Sequence, residues 1–369
     1  MGLIKEGLRL CRSALFSEPT EYGSYAGLKA NDWEELLAFA SQQGVLPLVT
    51  SHFSKWTVDS LEVRKVLVRW FATAQGNRQR YLLRLHTMQE MSSMFGSRGI
   101  EVMFFKGVQL AQLYPNPEWR VFSDIDYYLF GRSAKGIDVL ADKGIENKAY
   151  YHHHTQASLN GVLLENHYDF VERVNHKCNQ VLDDTLKELA SKEGHSVPAS
   201  FLGKEYTNAY VMTPTMNAIF LMRHMSAHFV GETVPLRQLY DWALFLRRYG
   251  KHVDWERVIR LYDAAGLSMF ASIVQALVWD YLKIDVPSCP IVPQTGYLAE
   301  RVWRSIVSPH NQDPYRKFSL RYFVFEARTF INNRWKHKIV YPDESYLGLF
   351  FRYTWSVIKK KLGLLKMEG

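Results

Sequence analysis

Two aspartates stand at i and i+2 in Ser123-Asp124-Ile125-Asp126. On an extended strand that spacing sends both carboxylates to one face. Side by side they repel, and a hard divalent cation such as Mg²⁺, completed by substrate phosphates, relieves the repulsion. A third carboxylate on a neighbouring strand would complete a two-metal site for in-line phosphoryl or nucleotidyl transfer. Glu165, in Leu164-Glu165-Asn166-His167, is the candidate. Upstream, Lys106-Gly107 follows an apolar run, and Arg120 precedes the acid pair by four positions. Phosphates need both a positive charge and backbone N–H groups at the start of a helix. Asp124, Asp126 and Glu165 are therefore the expected catalytic and metal-binding residues. Lys106, Gly107, Arg120 and Ser123 are the expected phosphate-binding ones.

The elements that must hold these residues can be read from periodicity. Ile100 to Phe105 is a short apolar run and predicts a buried strand, with a helix-like segment at Val108–Leu113 after it. Ser123–Phe130 predicts a second strand and 133–142 a crossover helix. Residues 149–157 and 161–170 predict two more strands joined at Asn160-Gly161, a hairpin signal. Helices are expected on both sides. Asn31 is a candidate N-cap, and residues 62–95 form a long periodic segment interrupted at Gly76. From about 180 onward the chain is expected to be helical again, with a last helix at 346–362. The fold class is α+β, a small mixed β-sheet core flanked by N-terminal and C-terminal helical regions. The expected divisions are 1–97, 98–185, 186–286 and 287–369.

Charge narrows the function. The chain of 369 residues carries a net +8, but residues 301–369 alone hold 14 Lys/Arg against 5 Asp/Glu. The first 300 residues are close to neutral, so the basic balance does not make the whole chain a nucleic-acid binder. It marks 301–369 as a surface for an anionic partner. Three scattered cysteines give no disulfide framework and no cysteine zinc motif, which fits a reducing cytoplasm. The N-terminus lacks an apolar leader core, and no stretch reaches the length of a transmembrane segment.

The run from Phe104 to Phe130 resembles the uncharacterised bacterial nucleotidyltransferase family (family 5) of the DNA polymerase β-like superfamily. The shared pattern is Lys106-Gly107, Leu110, Tyr114-Pro115, Arg120 and Asp124-Ile125-Asp126. Glu165-Asn166-His167 matches the family's Glu-x-His. His224, His228 and Leu236-Arg237-Gln238-Leu239-Tyr240-Asp241 match motifs of its helical half, and the resemblance spans roughly residues 30–265. Gly107 is followed by Val108, where the wider superfamily has Ser or Gly. The resemblance implies an enzyme that moves an NMP from an NTP to an acceptor hydroxyl or phosphate. It also implies ATP or another NTP as co-substrate and two Mg²⁺ ions, with Mn²⁺ as the substitute, held by Asp124, Asp126 and Glu165. Glu165 is further implied as a general base. The acceptor is unspecified among small molecules, tRNA and protein. Two alternatives stand beside this reading: a non-catalytic protein that docks a partner through the basic C-terminal segment, and a toxin-like enzyme that nucleotidylates tRNA or protein.

Several histidines are weighed as substrate contacts. In His152-His153-His154 a strand would place His152 and His154 on one face; His153 and His154 are kept as candidate contacts. His224 and His228 have the i, i+4 spacing of a zinc pair but lack the glutamate of a metalloprotease helix, so a hydrogen-bonded pair near the cleft is expected. Arg237 and Asp241, also i, i+4, and His167, two residues after Glu165, are further candidates. Asp169 competes with Glu165 as third acid. Lys359-Lys360-Lys361, on an amphipathic segment, reads as a helix end with cations at its C-terminus.

Overall fold

The structure is a computed structural model that describes residues 2–174, 176–201, 204–231, 233–308, 320–346, 348 and 352. The N-terminal region is helical: α1 (Gly2–Phe16), α2 (Ala30–Gln42), α3 (Leu46–Thr50) and α4 (Leu61–Gly96). Then follow β1 (Val102–Phe105), α5 (Gly107–Ala111), β2 (Asp124–Tyr128), α6 (Ser133–Ala141), β3 (Ala149–Tyr150), β4 (His154–Leu159) and β5 (Val162–His167). After α7 (Cys178–Glu193) come β6 (Pro198–Phe201) and β7 (Lys204–Val211). The remainder is helical: α8 (Pro214–Gly231), α9 (Leu236–Tyr249), α10 (Trp255–Ala264), α11 (Ser268–Asp280), α12 (Tyr297–Val307), α13 (Leu320–Asn332) and α14 (Arg334–Val340). This is the α+β arrangement read from the sequence, a mixed sheet with helices on either side.

The described strands form one sheet in the order β3-β4-β5-β2-β1-β7-β6. β2 runs antiparallel to β1 and parallel to β5, and β1 runs parallel to β7. Asn160 and Gly161 both have positive φ, 54° and 74°, as a tight hairpin turn requires. The turn fixes the β4–β5 register, which pairs Gln156 with Glu165 and His154 with His167. One part of the sequence reading is corrected. The stretch after 180 is not wholly helical, since β6 and β7 lie within it and β7 docks between β1 and the edge strand β6. The expected last helix at 346–362, with its three lysines, falls almost wholly outside the described residues.

Helix α4 runs 36 residues without a break at Gly76 and belongs to two cores. Its first turns bury Val63, Val66 and Leu67 among the helices. Its last turns lay Tyr81, Leu85, Met88, Met91 and Phe95 on one face of the sheet, against Phe104, Ile125 and Tyr127. The other face of the sheet carries Phe105 and Tyr128 and is covered by the C-terminal helices, where Phe220 of α8 meets Phe105 edge-on at 5.2 Å. Side chains alternate along a strand, so Asp124 and Asp126 share the face of Tyr128 and look toward α8 and α9.

Candidate active site

Each strand contributes in register. Asp126 of β2 pairs with Glu165 of β5, and Phe105, at the end of β1, pairs with Asp126. Lys106, the next residue, leaves the strand with φ 53° and ψ −113°, a conformation rare for a side-chain-bearing residue. That turn swings its ammonium back over the sheet to 2.5 Å from Asp126 Oδ1. His167 Nε2 lies 3.0 Å from the same oxygen and 3.7 Å from Glu165 Oε2. The other Asp126 oxygen, Oδ2, is buried with no hydrogen-bond partner.

Ligand atoms of Asp126, Glu165 and His167 all lie within 4.8 Å of one another. The structure thus brings together Lys106, Asp126, Glu165 and His167. Asp124 stands beside that group and lines, with Lys106 and Asp126, a cavity of about 220 Å³ roofed by α8 and α9. Glu165 does not line the cavity. Gln156 Nε2 donates to its Oε1 at 2.8 Å, and His154 Nε2 is 3.6 Å from the same atom.

The electrostatics divide the acids. Burial opposes charge at Asp126, yet Lys106 and His167 outweigh it and hold the carboxyl down at about 2. Glu165 is likewise held at about 2 against its burial, chiefly by the nearby His167 and then by His154 and Lys106. Asp124 goes the other way: burial first, then repulsion by Asp126, push its carboxyl up. Burial disfavours charge on Lys106 and His167, and the facing carboxylates reverse this and raise both.

Arg120 and Arg237 both line the cavity, but their partners differ from those the sequence spacing points to. Arg120 is only 5% exposed and forms a two-pronged pair with Asp241, at 2.7 and 2.8 Å. It also donates to the Gly107 carbonyl at 3.0 Å, and Tyr114 donates to Asp241 at 2.9 Å. Its charge is matched inside the protein. Arg237 lines the cavity, donates one bond to the Val121 carbonyl, and has a buried Nε without a partner. The sequence paired Arg237 with Asp241 on one helix face, but the carboxylate is taken by Arg120. Ser123 is exposed at the mouth of the cavity, and its carbonyl accepts two bonds from Arg84 of α4, which anchors the start of β2.

Gly107 opens α5 so close to the Phe122 ring that a Cβ would lie 2.5 Å from it. His224 and His228 both line the cavity with rings 4.6 Å apart, and burial holds His224 neutral. His153 and His154 meet by ring contact at 4.4 Å, and both rings approach His167. This corrects the expected strand pattern: β4 begins only at His154, so the bend before it turns His153 inward beside His154. Asp169 is engaged by Lys187, apart from the acid group, and does not join it. Gln156 was not singled out by motif, and Tyr114 only as part of the shared pattern, not as a partner of Asp241. The hairpin turn, counted outward, does place Gln156 opposite Glu165.

A family described as "Uncharacterised nucleotidyltransferase" covers residues 29–282, more than two thirds of the chain. The chain belongs to that family. Its sequence matches no curated protein and no solved structure. The match takes in every residue of the acid group and cavity described above and ends before α12.

Proposed function

We propose that the protein transfers a nucleotidyl group from an NTP to an acceptor in a Mg²⁺-dependent reaction, with Asp124, Asp126 and Glu165 as metal ligands. The observation that carries this reading is Asp126 Oδ2, a buried carboxylate oxygen with no partner beside the cavity acids. A hard cation suits such an oxygen, and it would also relieve the repulsion that raises Asp124. Bound there, Mg²⁺ supplies positive charge against the triphosphate and the leaving pyrophosphate.

The protein's own residues account for the rest. Lys106 and Arg237 bring positive charge to the cavity for the triphosphate. Arg120 supports them from behind by fixing the Gly107 carbonyl and the Asp241 end of α9. An acceptor oxygen attacks the α-phosphorus, the new O–P bond forms as the bond to the β-phosphate oxygen breaks, and pyrophosphate leaves. The acceptor's proton passes to a cavity carboxylate.

Isothermal titration of ATP, CTP, GTP and UTP with Mg²⁺, and label transfer from α-phosphate-labelled NTP, test the reading. Binding and transfer by the wild type, both lost in Asp124→Ala, support it. Equal NTP binding by the two proteins counts against it. One observation favours the non-catalytic alternative: the Lys106 ammonium already neutralises Asp126 without a metal. That alternative expects no labelled product in a lysate and unchanged function in Asp124→Ala.

A further inference from the structure

A second cluster of ligating groups lies away from the acid site, where the C-terminal helices meet the start of α7. His176 Nδ1 is 3.0 Å from Glu344 Oε2. One ligand atom from each of His176, His337 and Glu344 falls within 4.8 Å of the other two. Cys178 Sγ lies outside that three-atom group but donates to Glu344 Oε1 at 3.8 Å. We propose that His176, His337 and Glu344, with Cys178 drawn in as a fourth donor, bind a zinc-class transition-metal ion, which fastens α14 and the segment after it to the N-terminal end of α7.

The first support is His337. It is 2% exposed, and its Nε2 is buried with no hydrogen-bond partner. A buried imidazole nitrogen left unmatched is costly unless something is to fill the place. Both imidazoles are held neutral, chiefly by burial, with His337 down at about 4, so each keeps a lone pair for a metal.

The donor types are the second support. Two imidazoles, one carboxylate and one thiol form a mixed nitrogen, oxygen and sulfur set that suits zinc and not Mg²⁺ or Ca²⁺. Burial pushes the Cys178 thiol up to about 11, so it would bind as the thiolate only by losing its proton to solvent as the metal enters. Thiolate and carboxylate together then balance the charge of a divalent ion. The surroundings hold the ligands in place. Tyr341 stacks on His176 at 3.6 Å with the planes 2° apart, and Arg352 Nη2 donates to Glu344 Oε2 at 2.8 Å. Arg223, buried nearby, bonds the Tyr341 hydroxyl. Such outer contacts are the usual means of orienting metal ligands.

None of the four residues lines the cavity at Asp124 and Asp126. His337 and Glu344 lie beyond residue 282, where the family match ends, whereas His176 and Cys178 lie inside it. The site would therefore attach a segment outside the family region to the family core.

The test uses the full chain stripped with EDTA, then titrated with Zn²⁺ in competition with a colorimetric chelator, and separately with Co²⁺. We expect zinc affinity to fall at least tenfold in His337→Ala and in Glu344→Gln. The Co²⁺ form should show a thiolate charge-transfer band that Cys178→Ser removes. Circular dichroism establishes that each variant is folded, and Glu344→Gln is nearly isosteric, so its effect does not depend on tolerance of a large truncation. Zinc affinity equal in wild type, His337→Ala and Glu344→Gln overturns the site, as does a wild type that binds no zinc. A Co²⁺ form without the charge-transfer band overturns the place of Cys178.

Discussion

The Lys106 ammonium lies 2.5 Å from Asp126 Oδ1, and the backbone of Lys106 adopts φ 53° to put it there. The two facts belong together. Asp126 is 2% exposed, and a buried carboxylate without a counter-charge is strongly unfavourable. A conventional backbone at Lys106 would continue β1 and point the side chain elsewhere. Strain of this kind costs about 1–3 kcal/mol and persists where surrounding contacts over-determine it.

Lys106→Ala and Lys106→Gly separate strain from charge. Both remove the ammonium and leave Asp126 with His167 as its remaining partner, a loss of up to about 3–5 kcal/mol, the range for broken buried pairs. Only glycine adopts the positive φ freely. Urea unfolding should therefore find Lys106→Gly more stable than Lys106→Ala by about 1 kcal/mol. Equal stabilities would mean that the backbone relaxes when the charge is gone.

Asp124→Asn should trade function for stability. Burial and the adjacent Asp126 disfavour charge at position 124, so a neutral isostere removes a repulsion. Thermal unfolding at pH 7 should show Asp124→Asn at least as stable as wild type, with a gain of up to about 1 kcal/mol. Binding of NTP with Mg²⁺ should be lost in the same protein. A destabilised variant would instead make Asp124 a structural residue.

Much of this arrangement could be read along the chain. The alternation in Asp124-Ile125-Asp126 set the face of the acids. The Asn160-Gly161 turn set the register that brings Glu165 and His167 beside them. Other features depend on distant parts of the chain. Arg120 and Asp241 are 121 residues apart, and no local spacing distinguishes that pair from the i, i+4 pairing of Arg237 with Asp241. β7 was missed because Lys204-Glu205-Tyr206-Thr207-Asn208 reads as a polar segment. Its place is set by Ala209, fully buried beside β1, and by Asn208, whose amide donates to the Ser92 and Ile100 carbonyls.

Helix α4 gives a local test. Gly76 lies inside 36 helical residues, and a Cβ there would meet only the mobile end of Arg80, at 3.4 Å. Gly76→Ala should stabilise the protein by about 0.5–1 kcal/mol, through helix propensity and reduced freedom of the unfolded chain. Chemical denaturation reads this directly, and a loss of stability would mean that the glycine serves a contact of its own.

Acid should destabilise the protein in a defined window. Asp126 and Glu165 are held at about 2 in the folded state, below the ordinary 3.8 and 4.5. The unfolded chain therefore binds more protons between those limits, and stability falls as pH drops from about 4.5 toward 2. Each carboxylate contributes on the order of 2 kcal/mol to that loss. His167 acts in the opposite sense. Its raised value stabilises the fold below pH 6.5, and that contribution disappears as pH rises through the folded-state value. Urea midpoints measured against pH should show the acid slope flattened in Glu165→Gln. An unchanged slope would remove Glu165 from the charge cluster.

Arg120 and Asp241 allow the hardest test of how the cavity is held. Both side chains are about 5% exposed or less, and the pair is two-pronged, with Tyr114 and the Gly107 carbonyl as further partners. Removing either charge leaves the other buried and unmatched, so Arg120→Met and Asp241→Leu should each cost about 3–5 kcal/mol. The double variant removes both charges and should recover most of that loss, giving a coupling energy of several kcal/mol in a double-mutant cycle. Activity separates the structural role from a phosphate-binding one. If Arg120 acts only by positioning Gly107 and α9, the stable double variant keeps measurable NTP binding, while Arg237→Met, with its native fold retained, loses it. The reverse result, binding lost with Arg120 and kept without Arg237, would return the phosphate role to Arg120.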